Sequence, residues 1–157
     1  MGSDLSFKQL SLSASKSNIL LGLYGKSSFW LGAGKFFDVK NINYTDYRHF
    51  SGNQSISYQS HINSFLFLNL YTFSTKGQYL EGHYQHNFSG LIMSKVPLIR
   101  KLKLQEIVGA NYLNTEVLKN HTEVYTGLQY LNMVAQYGIV YSNGKKTESG
   151  FRLAFKL

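Results

Sequence analysis

The 157-residue chain has no cysteine, a single proline and only five alanines. The missing cysteine excludes a disulfide framework, a cysteine-based zinc site and a thiol nucleophile. The shortage of alanine, with a charged fraction of 15% where soluble domains run nearer 25%, speaks against a helical bundle or coiled coil. Acidic residues are also scarce: eight against sixteen Lys plus Arg, for a formal charge of +8. Long apolar runs are absent as well. The longest, 62–73, is interrupted by Asn63, Ser64 and Asn69 and falls short of the roughly 20 residues a spanning helix needs. Nothing at Met1-Gly2-Ser3-Asp4 reads as a secretory leader, and the start looks like a fragment boundary.

In place of these the chain has 12 Tyr, 11 Phe and one Trp, with Ser, Asn and Gly filling the polar share. Aromatic and β-branched residues suit strands, and a period of two recurs along the chain. Leu10, Leu12 and Ala14 alternate with serines. Leu80, Gly82, Tyr84 and Phe88 oppose Glu81, His83, Gln85 and Asn87. Leu102 and Leu104 alternate with Lys101, Lys103 and Gln105. Val124, Thr126, Leu128 and Tyr130 oppose His121, Glu123, Tyr125 and Gln129. Met133, Ala135, Tyr137, Ile139 and Tyr141 oppose Val134, Gln136 and Gly138. Phe151, Leu153, Phe155 and Leu157 alternate with Arg152, Ala154 and Lys156. The segment 53–75 reads as further strand. Lys76-Gly77 and Asn143-Gly144 are hairpin signals, and Gly25-Lys-Ser-Ser reads as a turn.

Strands of about 8 to 11 residues joined by short turns predict an all-β, antiparallel, up-and-down transmembrane β-barrel. The expectation is about 8–10 strands in one domain over residues 1–157, alone or as part of a larger barrel. Aromatics near strand ends and an amphipathic strand running to the last residue agree with it. On this reading Glu81, His83, Gln85, Glu123, Gln129, Arg152 and Lys156 form a polar network in the lumen, with Glu123 expected to pair with Arg152. The apolar parity meets lipid. A small soluble β-barrel holding an apolar ligand would use the same period with its faces reversed.

Catalytic signals are thin, and no enzyme activity, cofactor or metal is inferred. His83 and His86, three apart on a strand, point to opposite faces and cannot share one metal. Asp46 and His49 beside Ser51 or Ser55 lack a nucleophile elbow. The densest basic cluster is Lys95, Arg100, Lys101 and Lys103 around Pro97. It is expected to sit on a solvated rim or to meet anionic headgroups, of lipid or of lipopolysaccharide. Nucleic acid is not an expected partner, because the other lysines scatter through turns.

The terminal Gly150-Phe-Arg-Leu-Ala-Phe-Lys-Leu157 resembles the C-terminal assembly signal of bacterial outer-membrane proteins, with Gly150, Leu153, Phe155 and Leu157 in the signal positions. Three blocks, 46–54 (DYRHFSGNQ), 82–90 (GHYQHNFSG) and 96–110 (VPLIRKLKLQEIVGA), resemble one uncharacterised Bacteroidetes-type outer-membrane family. Its members are labelled carboxypeptidase-like regulatory-domain or TonB-dependent-receptor-like proteins. The resemblance implies the C-terminal portion of a longer chain in the bacterial outer membrane, with a structural or transport-associated role. It also implies handling by the barrel-assembly machinery during biogenesis. No peptidase activity carries over, because the label names a non-catalytic sandwich domain.

Overall fold

The computed structural model describes residues 6–52, 56–58 and 62–155, with the side chains of 56–58 left aside. Seven long strands carry the fold: β1 (Ser6–Leu20), β2 (Lys26–Asn41), β4 (Gln78–Asn87), β5 (Gln105–Thr115), β6 (His121–Tyr130), β7 (Met133–Ser142) and β8 (Lys145–Phe155). A three-residue strand, β3 (Ile56–Tyr58), lies between β2 and β4 in sequence. The described residues include no α-helix, only four single 3-10 turns.

The sheet order is β1-β2-β4-β5-β6-β7-β8-β3. Each long strand pairs antiparallel with its neighbour, while β3 lies parallel on β8, with Ile56 opposite Leu153 and Tyr58 opposite Phe155. The expected antiparallel all-β architecture is present. The expected closure is not: the sheet is open, and β1 does not pair with β8 or β3. Seven antiparallel strands leave β1 and β8 running the same way, whereas bacterial up-and-down barrels have an even number of strands.

Two other expectations are corrected. Of the 53–75 segment, the described residues 62–74 are not strand, and Ile56–Tyr58 is a strand of three residues. Four consecutive apolar residues, Phe65-Leu66-Phe67-Leu68, lack the polar–apolar alternation of a half-buried strand, and all four are buried against the sheet. The alternation at 101–105 is likewise not a strand up to Gln105. Arg100–Leu102 is a 3-10 turn that ends at Lys103 in the left-handed region (φ 52°). Asn143-Gly144 does reverse the chain as a hairpin, with φ of 52° and 74° at the two residues, the pair of positive values a type I′ turn needs.

Residues opposite one another across the ladders share a face. Trp30, His83, Asn111, Glu123, Val140 and Glu148 form one inward row across the sheet. Leu12, Ala33 and Leu80 on one side, and Ala110, Val124 and Ile139 on the other, belong to the outward parity. The two ends differ in their connections. The upper end carries reversals 21–25, 88–104 and 131–132; the lower end carries 42–77, 116–120 and 143–144.

The interior is filled from within the chain. Leu66 and Phe67 pack with Ile107, Tyr125, Val134, Val140 and Ala154. Phe65, Leu68 and Phe50 pack with Tyr79 and Leu113. Phe50 and Phe65–Leu68 of the β2–β4 connection therefore lie against the inward face of the sheet. Gly138 makes room for them: a Cβ there would sit 2.6 Å from Phe67 Cε2. Gly138→Ala is expected to destabilise by about 1–3 kcal/mol through overpacking, read as a lower denaturant midpoint with unchanged slope.

Candidate functional site

The inward parity of β4, β5 and β6 builds one continuous polar chain. It begins at Arg48, in the β2–β4 connection, whose Nη2 donates to Glu81 Oε2 at 3.0 Å. Glu81 Oε1 lies 3.1 Å from His83 Nε2, and His83 Nδ1 lies 2.9 Å from Asn111 Oδ1. Asn111 Nδ2 donates to Glu123 Oε2 at 2.9 Å. Glu123 then returns to the same connection: its two oxygens accept the backbone N–H groups of Leu66 (2.7 Å) and Phe67 (2.9 Å). His121 Nε2, at 3.3 Å from Oε1, completes its shell.

Glu81, His83, Asn111 and Glu123 are at most 2% exposed. Buried carboxylates are tolerated only when donors surround them, and here four donors converge on Glu123 and two on Glu81. Arg152 serves the same connection from β8. Its Nε donates to the Leu66 carbonyl at 3.0 Å, its guanidinium lies 4.3 Å from the centre of the Phe67 ring, and its Nη2 reaches Glu148 at 3.3 Å. Glu123 and Arg152 thus do not pair directly, contrary to the sequence expectation. Glu123 takes the N–H groups flanking Leu66 and Arg152 takes its carbonyl, so the two act on one peptide from opposite sides.

The remaining inward residues are peripheral to this chain. Gln85 is half-buried and accepts from the Tyr125 hydroxyl at 3.4 Å, and Gln129 Nε2 donates to the Leu131 carbonyl at 3.1 Å. Lys156 and Leu157 lie outside the described residues. Gly150 is half-buried, while Leu153 and Phe155 are exposed on the outward face of β8, opposite Ala135 and Met133.

His83 and His86 face opposite sides of β4, as their spacing requires. His86 lies at the upper end, with Nδ1 2.8 Å from Ser27 Oγ and Nε2 donating to the Tyr24 carbonyl at 2.8 Å. Ser27 also contacts the Tyr84 hydroxyl at 3.1 Å. These bonds tie the β1–β2 turn to the sheet. His49 sits in the β2–β4 connection against Ser74, at 2.7 Å. Among the described residues no three His, Asp or Glu side chains group as a metal site. Lys95, Arg100, Lys101 and Lys103 are all exposed in the upper 88–104 connection. That connection is anchored by Glu106, whose Oε1 accepts the N–H groups of Ile92 (3.1 Å) and Met93.

Sequence reasoning missed four participants: Arg48, Asn111, His121 and Glu106. Asn111 carried a weak signal, the parity of Gly109, Asn111 and Leu113 against Val108, Ala110 and Tyr112. The apolar residues on both sides hide it. In chemical terms the assembly is a clamp, since its acceptors are spent on intrachain donors and it holds one segment at two points, Arg48 and Leu66–Phe67.

Residues 1–128 match the C-terminal domain of DUF5686, a family of unknown function. Neither the curated proteins nor the solved structures contain a match. With more than three quarters of its length covered by that match, the chain belongs to the DUF5686 C-terminal domain family.

Proposed function

We propose that the chain is a wall of an outer-membrane β-barrel whose lumen is occluded by its own β2–β4 connection, in a structural or transport-associated role without catalysis. One observation carries this reading: apolar side chains are exposed along the outward face while charged and polar side chains are buried among the apolar ones of the inward face. The buried face holds Glu81, His83, Asn111, Glu123 and Gln136, while Leu12, Leu31, Leu80, Tyr84, Val124 and Leu153 are exposed on the other. A water-soluble sheet gains stability by burying its apolar face. In a bilayer the same arrangement is favourable, since the outward side meets hydrocarbon. The strand lengths support it. From β4 to β8 they run 10, 11, 10, 10 and 11 residues, the span of tilted membrane strands, roughly 9–11. The soluble, ligand-binding alternative is disfavoured because the interior is already filled by Phe65–Leu68.

The labels of the resembled family, and dependence on the assembly machinery through Gly150, Leu153, Phe155 and Leu157, belong to this same proposal.

Refolding tests it. The chain is expected to reach a compact, heat-modifiable form on gels only with detergent or bilayer present. A monodisperse folded protein in detergent-free buffer would overturn the reading. Within a bilayer, Ile139→Arg on the outward face should cost about 2–4 kcal/mol in a lipid-refolding titration. Surface changes in water are usually within about 0.5 kcal/mol, so an effect that small would count against a lipid-facing Ile139.

A further inference from the structure

Charge is divided unevenly between the two ends of the sheet. The lower end mixes signs, with Asp38, Asp46 and Glu116 among its lysines and a Lys8–Asp38 ion pair at 3.3 Å. The upper end carries six exposed cations, Lys16, Lys26, Lys95, Arg100, Lys101 and Lys103. Its carboxylate among the described residues, Glu106, is buried, with Oε1 accepting the amides of Ile92 and Met93. Among these cations stand exposed apolar side chains: Leu98 at 90% and Leu23 at 89%, with Ile92 and Leu102 about half exposed. Neither turn hangs free. His86 holds the β1–β2 turn through the Tyr24 carbonyl, and Glu106 holds the start of the β4–β5 connection. Between them runs a groove of about 260 Å³ with Leu20, Leu23, Lys26 and Leu91 in its lining.

Fixed cations interleaved with apolar side chains, at the rim of an outward apolar face, match an interface where phosphates lie above acyl chains. We infer that the upper end of the sheet docks on anionic glycerophospholipid headgroups, with Leu98 and Leu23 entering the acyl boundary and the cations holding phosphates. Single-phosphate lipids fit because the cations are strung along two segments, Lys16 and Lys26 flanking the β1–β2 turn and Lys95, Arg100, Lys101 and Lys103 along the β4–β5 connection, so that separate headgroups can meet them. The inference rests on the membrane reading above and adds to it the lipid class and the end that meets it.

The test is insertion of the urea-unfolded chain into preformed vesicles, read by heat-modifiable migration and protease protection. Three vesicle types are compared: phosphatidylcholine, phosphatidylcholine with phosphatidylglycerol, and phosphatidylcholine with lipid A. Phosphatidylglycerol should raise vesicle association strongly, and added salt should weaken the gain. Replacing Lys95, Arg100, Lys101 and Lys103 together by Gln should remove most of it. Each cation is worth about fivefold, so the set is worth on the order of several hundredfold. Leu98→Ser should reduce insertion into both phospholipid vesicles while leaving the phosphatidylglycerol preference intact. Folding of each variant in zwitterionic detergent micelles serves as the control. Equal insertion into phosphatidylcholine with and without phosphatidylglycerol overturns the inference and leaves the membrane reading standing. Preference for lipid A alone overturns the glycerophospholipid assignment. Failure to insert into any vesicle overturns the membrane reading itself.

Discussion

Replacing Glu123 with alanine is expected to destabilise the folded chain by about 3–5 kcal/mol, among the largest effects of any single substitution. The carboxylate is fully buried and accepts from two backbone amides, Asn111 and His121. Its removal leaves the amides of Leu66 and Phe67 without their acceptor, and unsatisfied buried donors cost about 1–3 kcal/mol each. Glu123→Gln keeps one acceptor oxygen and should fall clearly short of the alanine value. Urea titration of detergent-refolded protein measures both. An effect below about 1 kcal/mol for Glu123→Ala would mean that the clamp does not hold the β2–β4 connection.

Phe65→Ala is expected to cost a similar amount, about 3–5 kcal/mol, for a different reason. The Phe65 ring is fully buried, 4.6 Å from the His83 ring and 6.0 Å from that of His121, and it joins Phe50, Leu68, Tyr79 and Leu113 in one cluster. Truncation removes the apolar filling between the connection and the sheet while leaving the Glu123 bonds to Leu66 and Phe67 in place. Limited proteolysis should then cut within 62–75 in the variant before it cuts the strands. Resistance equal to that of the parent chain would show that the connection is held by the polar chain alone.

The strand faces were legible in the sequence because period two is local. Knowing that Leu80 and Glu81 alternate is enough to place them on opposite sides of β4, and the same holds for Val124 and Glu123 on β6. The division into outward apolar and inward polar residues follows from those pairs alone. What packs against the inward side was not legible. Phe65–Leu68 announces itself as apolar on both parities, which distinguishes a plug from an alternating strand. No local pattern, however, says that Leu66 and Phe67 meet a carboxylate 56 or 57 residues later. Arg48 is hidden for the same reason, since its partner Glu81 is 33 residues away. The Glu123–Arg152 pairing failed because opposite charges on one parity were matched without the intervening Leu66 peptide. The 3-10 turn after Pro97, Arg100–Leu102, is hidden because Lys101 to Gln105 alternates in sequence while the backbone turns at Lys103.

The central claim is that the exposed apolar face meets lipid, and the absence of native cysteine makes it directly measurable. Single cysteines at Leu31, Val124 and Ile139 on the outward face, and at Ser13 and Glu148 on the inward parity, would each carry a bimane label. The protein would then be reconstituted into vesicles containing lipids brominated along their acyl chains. The account predicts strong quenching at the three outward positions and weak quenching at the two inward ones. Equal quenching at both sets, or outward labels quenched by aqueous iodide instead, would contradict it.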